Sequence, residues 1–361
     1  MTKKRKRLVV LVPGFQEALV VGSQLNLLKN CIRLRHPGFT ISQISCQTYT
    51  GYRIEGSASI TEVFEADWQS ATSFLSSQDW FRKLTWGLRL VGAWASPKSL
   101  IRAKDHKGWF LSFAIALAIM GIWWISTLLA LVGAIGDFVH HNVPVVGSFL
   151  HAVSVPRISA LNRTPLGHSI LVFLVLLRNS WPLASAVLVL LGVSISASVD
   201  VADLFRRYLD DADDDNGLPT RTVMRSRLTD ALDMLADASY DEVLLVGHSF
   251  GVLVALDAIA EGLAQNVNFI SLGGFLAFLA AENPWAGQRI RECLRSSNLA
   301  MWKDYYSTQD HFAAAAPVPS TEAKFKTHTV NLRASYWQST LGKSHSMYFR
   351  NDEVQDAILA L

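Results

Sequence analysis

The architecture of this chain follows from one segment, Asp241-Glu-Val-Leu-Leu-Val-Gly-His-Ser-Phe-Gly251. Its apolar run predicts a buried strand from Glu242 to Val246, and the apolar spacing that follows predicts a helix from Phe250 to about Leu263. The turn between them has the pattern Gly-x-Ser-x-Gly. Such a turn must be tight, so the flanking positions lack side chains and Ser249 is held in a strained, exposed conformation. The positive end of the helix dipole would then favour an oxyanion.

This segment resembles the nucleophile elbow of the α/β-hydrolase superfamily, in its lipase and esterase form Gly-His-Ser-x-Gly. The pattern is short, but the strand before it and the helix after it supply the context that the family requires. The resemblance covers about residues 7–67 and 220–358, and it implies that Ser249 is a nucleophile. His248 is expected to serve packing or to support the site without touching substrate.

The family also has an oxyanion loop after an early strand, and Leu8-Val-Val-Leu-Val-Pro-Gly-Phe15 fits that position. Pro-Gly stands here where many lipases and esterases have His-Gly. By analogy, the donors to the oxyanion would be the backbone amides of Phe250 and of either Phe15 or its neighbour Gln16. The alternative is a plain turn that ends the strand.

The resemblance further implies that an acid follows the serine in the chain and that a histidine follows the acid. Asp310 is the predicted acid, because it comes after a short apolar and aromatic strand and a turn. Asp304 is the rival, because the end of that strand can be drawn earlier.

His345 is the predicted base. It lies in a polar loop between the last predicted strand, Phe325 to Leu332, and a C-terminal helix from about Asp352. This is where the hydrolase fold presents its histidine. His328 lies inside the strand and His311 adjoins the acid, so either can be a structural residue.

The rest of the pattern alternates strands with helices, which predicts an α/β fold whose mostly parallel sheet is covered by helices on both faces. Predicted strands are Leu8 to Val12, Thr40 to Cys46, Ile60 to Phe64 and Val267 to Leu272. Predicted helices run from Glu17 to Leu34 and from Thr220 to about Ala238.

A two-helix transmembrane insertion is predicted to interrupt this pattern. Residues 109–136 carry no charged side chain, and a helix of that length exceeds the hydrocarbon core of about 30 Å. A second apolar stretch, 169–199, is divided by Arg178 and Trp181-Pro182. Arg178 then lies either within a long kinked span or at its interface, and a buried helical hairpin is the alternative to both readings.

This insertion divides the chain into residues 1–80, the insert 81–200 and residues 201–361. Lysine and arginine are more frequent on the flanks of the spans than between them, which places the hydrolase parts in the cytoplasm. The flanking cations are Arg89, Lys98, Arg102, Lys104, Lys107, Arg206 and Arg207, and the intervening ones are Arg157 and Arg163. The apolar loop Val143 to Val155 between the spans is either a surface for homo-oligomerisation or an interfacial segment.

Composition narrows the function classes. Hydrophobic residues make up 50% of the 361 residues and charged residues 17%, which excludes an intrinsically disordered chain. A net charge of +3 argues against a nucleic-acid partner. The cysteines, Cys31, Cys46 and Cys293, lack the paired spacing of a zinc site or a disulfide scaffold, and they are expected to be reduced, buried thiols in a cytosolic compartment.

These observations predict a membrane-anchored serine hydrolase for carboxylic esters or thioesters, with Ser249, His345 and Asp310 as its catalytic set. Its expected partners are the bilayer and a lipid or acylated substrate, because spans within the catalytic chain would hold the sheet close to the membrane. The chemistry requires neither metal nor organic cofactor. The alternatives are a non-catalytic membrane scaffold or signalling protein with this fold, and a regulated lipase effector that damages its own membrane.

Overall fold

The computed structural model of the chain describes residues 4–15, 23–68, 204–213, 217–236, 240–263, 265–310, 312–340 and 342–359. Its strands are β1 (Arg5–Val12), β2 (Thr40–Cys46), β3 (Tyr49–Glu55), β4 (Ser59–Glu65), β5 (Glu242–His248), β6 (Val267–Leu272), β7 (Leu299–Tyr306) and β8 (Phe325–Thr329). Its helices are α1 (Ser23–Arg35), α2 (Thr220–Leu235), α3 (Phe250–Glu261), α4 (Leu276–Glu282), α5 (Pro284–Arg295), α6 (Tyr336–Thr340) and α7 (Asp352–Leu359). Two short 3₁₀ turns, Lys343–Ser346 and Tyr348–Arg350, precede α7.

The strands form one eight-stranded sheet in the order β2-β3-β4-β1-β5-β6-β7-β8. The pairings of β3 with β2 and with β4 are antiparallel. Each pairing from β4 across to β8 is parallel. The predicted α/β fold with a mostly parallel sheet is therefore confirmed.

The sequence did not predict β3, and it predicted β8 too long. Thr329 is the last residue of β8 and pairs with Tyr306, the last residue of β7. The predicted strand continued to Leu332 because the alternation of apolar and polar residues continues there. The pairing with β7 ends at Thr329, however, and the end of a partner strand is not visible in one segment alone.

The two central strands, β1 and β5, are buried on both faces. Every residue from Leu8 to Val12 has an exposed fraction of 0%. Alternate residues of β1 face opposite sides: Leu8 belongs to the hydrophobic core that includes α2, α3, α4 and α5, and Val9 to the core that includes α1 and α7. Helices on both faces explain why these strands read as continuous apolar runs.

The pairing of β1 with β5 joins the two parts of the chain that lie on either side of the predicted insertion. Within the described residues, no helix combines the length and the apolar character needed to cross a bilayer. The two predicted spans, about 109–136 and 169–199, and the loop 143–155 lie outside the described residues.

Candidate active site

The turn between β5 and α3 has the strained geometry that its sequence predicts. Ser249 has φ 53° and ψ −120°, a conformation that non-glycine residues rarely adopt. The residue lies between the end of β5 and the first turn of α3. Backbone strain of this kind costs on the order of 1–3 kcal/mol, and it persists only where the surrounding structure enforces it.

Close backbone packing around this turn explains its two glycines. A Cβ atom on Gly251 would lie 2.0 Å from the carbonyl oxygen of Val12, and one on Gly247 would lie 2.8 Å from the Cα atom of Val252. Both contacts are with main-chain atoms, which cannot rotate away. The sheet and the helix can therefore approach this closely only if both positions lack a side chain.

The loop after β1 lies directly against Ser249. A Cβ atom on Gly14 would lie 2.7 Å from the Cβ atom of Ser249, and the indole N–H of Trp68 donates to the carbonyl oxygen of Pro13 at 2.9 Å. Phe15 follows in this loop, and Phe250 begins α3, where the first N–H groups of a helix have no intrahelical acceptor. The structure thus brings the loop of Phe15 to the elbow. Gln16 lies outside the described residues.

His345 and Asp310 form a direct pair. Their Nδ1 and Oδ2 atoms are 2.8 Å apart, and the Asp310 side chain is fully buried whereas that of His345 is 19% exposed. Because a carboxylate can only accept, Nδ1 carries the proton in this pair. The Nε2 atom of neutral His345 is then left with a lone pair, which is the state that a general base requires.

Asp310 receives two further hydrogen bonds. The backbone N–H of Phe312 donates to Oδ1 at 3.0 Å, and the hydroxyl of Tyr348 donates to Oδ2 at 2.9 Å. Burial alone would raise the pKa of Asp310, but the charge and hydrogen bond of His345, together with these donors, lower it below its usual value. Asp310 is therefore held as a carboxylate.

The same pairing acts on the imidazole in the opposite direction. Burial opposes a charge on His345, but the charge of Asp310 and its hydrogen bond outweigh burial and raise the pKa of His345 above its usual value. The site thus stabilises an imidazolium, the species that His345 becomes when it accepts a proton.

Tyr348 is a site residue that the sequence did not predict. It is fully buried, and a Cβ atom on Gly273 would lie only 2.7 Å from its ring. In the sequence, Tyr348 lies in a short apolar segment after His345, a pattern that by itself predicts core packing. The partner of its hydroxyl depends on the tertiary fold, which brings the turn that carries Tyr348 beside Asp310.

The rival acid, Asp304, lies in a different environment. It accepts from the hydroxyl of Ser271 at 2.5 Å and from the backbone N–H of Ala316 at 2.8 Å. Both donors are neutral, and among the described residues no histidine pairs with Asp304. Burial raises the pKa of Asp304 to about 6, although both hydrogen bonds oppose the shift.

The other two histidines that the sequence singled out do not join this pair. The ring of His328 stacks on that of Tyr305 with 4.7 Å between centroids, and its Nδ1 atom lies 3.3 Å from the carboxylate of Glu353. His311 lies outside the described residues.

Ser249 and the pair formed by His345 and Asp310 lie near the carboxyl ends of the parallel strands. The backbone N–H of Ser249 donates to the carbonyl oxygen of Leu272 at 3.0 Å, and a Cβ atom on the next residue, Gly273, would lie 3.2 Å from Oδ2 of Asp310. Among the described residues, no hydrogen bond joins the Ser249 hydroxyl to the His345 ring. Such bonds are often long in a site without substrate and shorten when substrate binds.

Comparisons with protein-family models, with curated proteins and with solved structures returned no match to this chain. Within the residues that the structure describes, no group of three or more His, Cys, Asp or Glu side chains is arranged to hold a metal ion. The geometry of Ser249, His345 and Asp310 therefore carries the functional argument.

Proposed function

We propose that this chain is a serine hydrolase of the α/β-hydrolase type, which cleaves carboxylic esters or thioesters through an acyl-enzyme on Ser249. The observation that carries the proposal is the pairing of His345 with a buried Asp310, near the same carboxyl ends of the strands as the strained Ser249. A raised imidazole pKa, a lowered carboxyl pKa and a nucleophile at a helix N-terminus together suit acyl transfer.

In this mechanism, Nε2 of His345 takes the hydroxyl proton while Oγ of Ser249 attacks the carbonyl carbon. The proton then passes to the leaving alcohol or thiol as the ester bond breaks. Water, activated by the same imidazole, hydrolyses the acyl-enzyme and restores the serine. Asp310 keeps the imidazole in the required tautomer, and the amides of Phe250 and Phe15 donate to the oxyanion.

We propose a lipid or an acylated molecule as the substrate, delivered from the membrane. The support is the uncharged segment 109–136 and the apolar segment 169–199, which would anchor residues 4–68 and 204–359 beside the bilayer facing the cytoplasm. Substrate dissolved in a membrane reaches an anchored site at a high local concentration.

A non-catalytic scaffold that retains this fold is the second candidate. The observation that favours it is that no hydrogen bond joins Ser249 to His345 among the described residues. A scaffold needs the fold but has no use for a nucleophile activated by a base.

Labelling with a fluorophosphonate probe distinguishes the two candidates. Because the probe forms a covalent bond only with an activated serine, we expect wild type to be labelled and Ser249→Ala to remain unlabelled. Ser226→Ala, which removes an exposed hydroxyl on α2, is the matched control and should be labelled like wild type. Equal labelling of wild type and Ser249→Ala, or no labelling of either, would exclude the serine hydrolase.

The substrate class is tested by comparing the lipids of cells that express wild type or Ser249→Ala at equal levels. We expect one class of acyl lipid to be depleted, and its deacylated product to accumulate, only with wild type. Identical lipid profiles, together with turnover of a water-soluble ester by the purified full-length protein, would show that the substrate is not a membrane lipid.

A further inference from the structure

His248, the last residue of β5, connects the elbow to the loop that carries His345. Only 5% of it is exposed, and both of its ring nitrogens have polar partners. Its Nε2 atom lies 2.8 Å from the backbone carbonyl oxygen of His345, and its Nδ1 atom lies 3.1 Å from the side-chain nitrogen of Gln24 in α1. The mechanism proposed above makes no use of this imidazole.

The two partners specify one neutral tautomer of His248. A carbonyl oxygen can only accept, so Nε2 carries the proton, and Nδ1 is then free to accept from the amide of Gln24. Burial, reinforced by the nearby His345 ring, lowers the pKa of His248 to about 3. His248 is therefore neutral through the neutral pH range, so Nδ1 keeps its acceptor role toward Gln24 while Nε2–H donates to the His345 carbonyl oxygen.

The backbone that receives this hydrogen bond has little regular structure of its own. His345 lies in the short 3₁₀ turn Lys343–Ser346, whose helical bonds are few. His248 directly precedes Ser249 in the chain, and its ring lies 5.0 Å from that of His345 between centroids. A single side chain thus ties the backbone of the base to the residue next to the nucleophile.

We propose that His248 is a positioning residue, which holds the His345 backbone so that its imidazole can reach Ser249. This inference rests on the proposed hydrolase function. Loss of the hydrogen bond would let the turn shift while Asp310 still held the ring, and a displacement of about 1 Å can cost about 100-fold in rate. The substrate does not contact His248 in this scheme, so substrate binding should be nearly unchanged.

The test uses the full-length protein in detergent, with p-nitrophenyl butyrate as substrate. His248→Leu removes the donor and keeps apolar bulk, whereas His248→Gln keeps an amide N–H near the position of Nε2. We expect kcat of His248→Leu to fall about 10- to 100-fold with little change in KM. His248→Gln should restore most of kcat. The matched control, His328→Leu, removes a histidine that stacks on Tyr305 in β7 and should leave kcat unchanged.

Two results would overturn the inference: a kcat of His248→Leu within twofold of wild type, or equal losses in the Leu and Gln variants. If His248→Leu does not fold, the comparison moves to His248→Asn, whose shorter amide cannot reach the carbonyl oxygen. Equal kcat values for the Asn and Gln variants would then contradict the inference. An inactive wild type would refute the proposed function as well, whereas an active wild type that is indifferent to residue 248 would refute this inference alone.

Discussion

Asp304 and Asp310 are both buried beside the end of β7, yet their pKa values move in opposite directions. Burial raises the pKa of Asp304 to about 6, with only the neutral donors Ser271 and Ala316 to oppose it. At Asp310, burial acts in the same direction, but His345 and its other donors reverse the outcome and lower the pKa. The sign of the shift is therefore set by the partner and not by the depth of burial.

This difference assigns different tasks to the two carboxyl groups. Asp310 remains charged near neutral pH and faces an imidazole, so it can stabilise a positive charge that appears there. Asp304 links β6, through Ser271, to β7 and to the backbone of Ala316. The indole N–H of Trp302 completes that link by donating to the Ser271 hydroxyl at 2.7 Å. Asp310 thus pairs with an ionisable partner, whereas Asp304 joins the neighbouring strands β6 and β7.

The largest expected effect is that of Asp310→Asn. Loss of the carboxylate removes both the tautomer control and the charge that stabilises the imidazolium, so we expect kcat to fall about 10⁴-fold. The pKa of His345 should also fall, because Asp310 raises it from its ordinary value of 6.5 and burial lowers it. The acidic limb of the pH profile of kcat/KM, which requires neutral His345, should therefore move to lower pH.

Steady-state kinetics of wild type and Asp310→Asn between pH 5 and 9 provide the measurement. The change preserves the size of the side chain, so melting temperatures of the two proteins serve as the control for folding. A loss of kcat of less than tenfold in a folded variant would contradict the role of Asp310 that distinguishes it from Asp304. An acidic limb that stays in place would contradict it as well.

Tyr348→Phe is expected to have an intermediate effect. It removes the hydroxyl that donates to Asp310 and that also accepts from the backbone of Ser307. A hydrogen bond to a charged group contributes about 1.5–3 kcal/mol, so we expect kcat to fall about tenfold and stability to decrease by a similar free energy. The free energy of unfolding and kcat are both measured.

Tyr336→Phe is the control for Tyr348→Phe, because Tyr336 is 69% exposed and should tolerate loss of its hydroxyl. If Tyr348→Phe loses stability but keeps full kcat, the phenol supports the fold alone and Asp310 does not depend on it.

Asp304→Asn should have the smallest effect on rate, within about twofold of wild type, because its carboxyl group contacts no site residue. Its effect on stability should depend on pH. Because the folded pKa of about 6 lies above the unfolded value of 3.8, Asp304 favours folding below pH 3.8, and this contribution is lost as pH rises through 6. Asn cannot ionise, so the variant should gain stability relative to wild type by up to about 3 kcal/mol between pH 4 and pH 7.

Chemical denaturation of both proteins at these two pH values measures this difference. All other ionisable groups are the same in wild type and Asp304→Asn, so their effects on the free energy of unfolding cancel in the difference between the two proteins. A difference that is independent of pH would show that Asp304 is not protonated in the native state near pH 5. A large loss of kcat would instead make Asp304 the acid of the site.

The sequence was sufficient for the features that depend on local pattern. Apolar runs such as Leu8 to Val12 and Glu242 to Val246 predict buried strands because a strand covered on both faces has no polar side. The glycines around Ser249 predict a tight turn because glycine permits close backbone approach, although the atoms that crowd Gly251 belong to Val12 and Pro13, far away in the sequence. The order of serine, acid and histidine followed from the family resemblance, and the structure brings Asp310 and His345 into direct contact.

No single segment of the sequence predicts the features that depend on contacts between distant segments. The sequence did not predict the strand β3. It also left open the choice between Asp304 and Asp310, because both aspartates lie near the same strand end. What separates them is which of them meets His345, some thirty-five positions further along the chain. The same holds for the hydroxyl of Tyr348 and for Gln24, whose partner His248 lies in the other part of the chain.

The chain by itself thus determined an α/β architecture, a strained serine at a strand-to-helix turn, and a short set of acids and histidines. Packing of the sheet and its surrounding turns determined which acid pairs with His345 and how His248 and His345 are held. The physical reason is that secondary structure and tight turns arise from neighbouring residues, whereas a pKa or a tautomer depends on partners that only the folded chain brings within hydrogen-bonding distance.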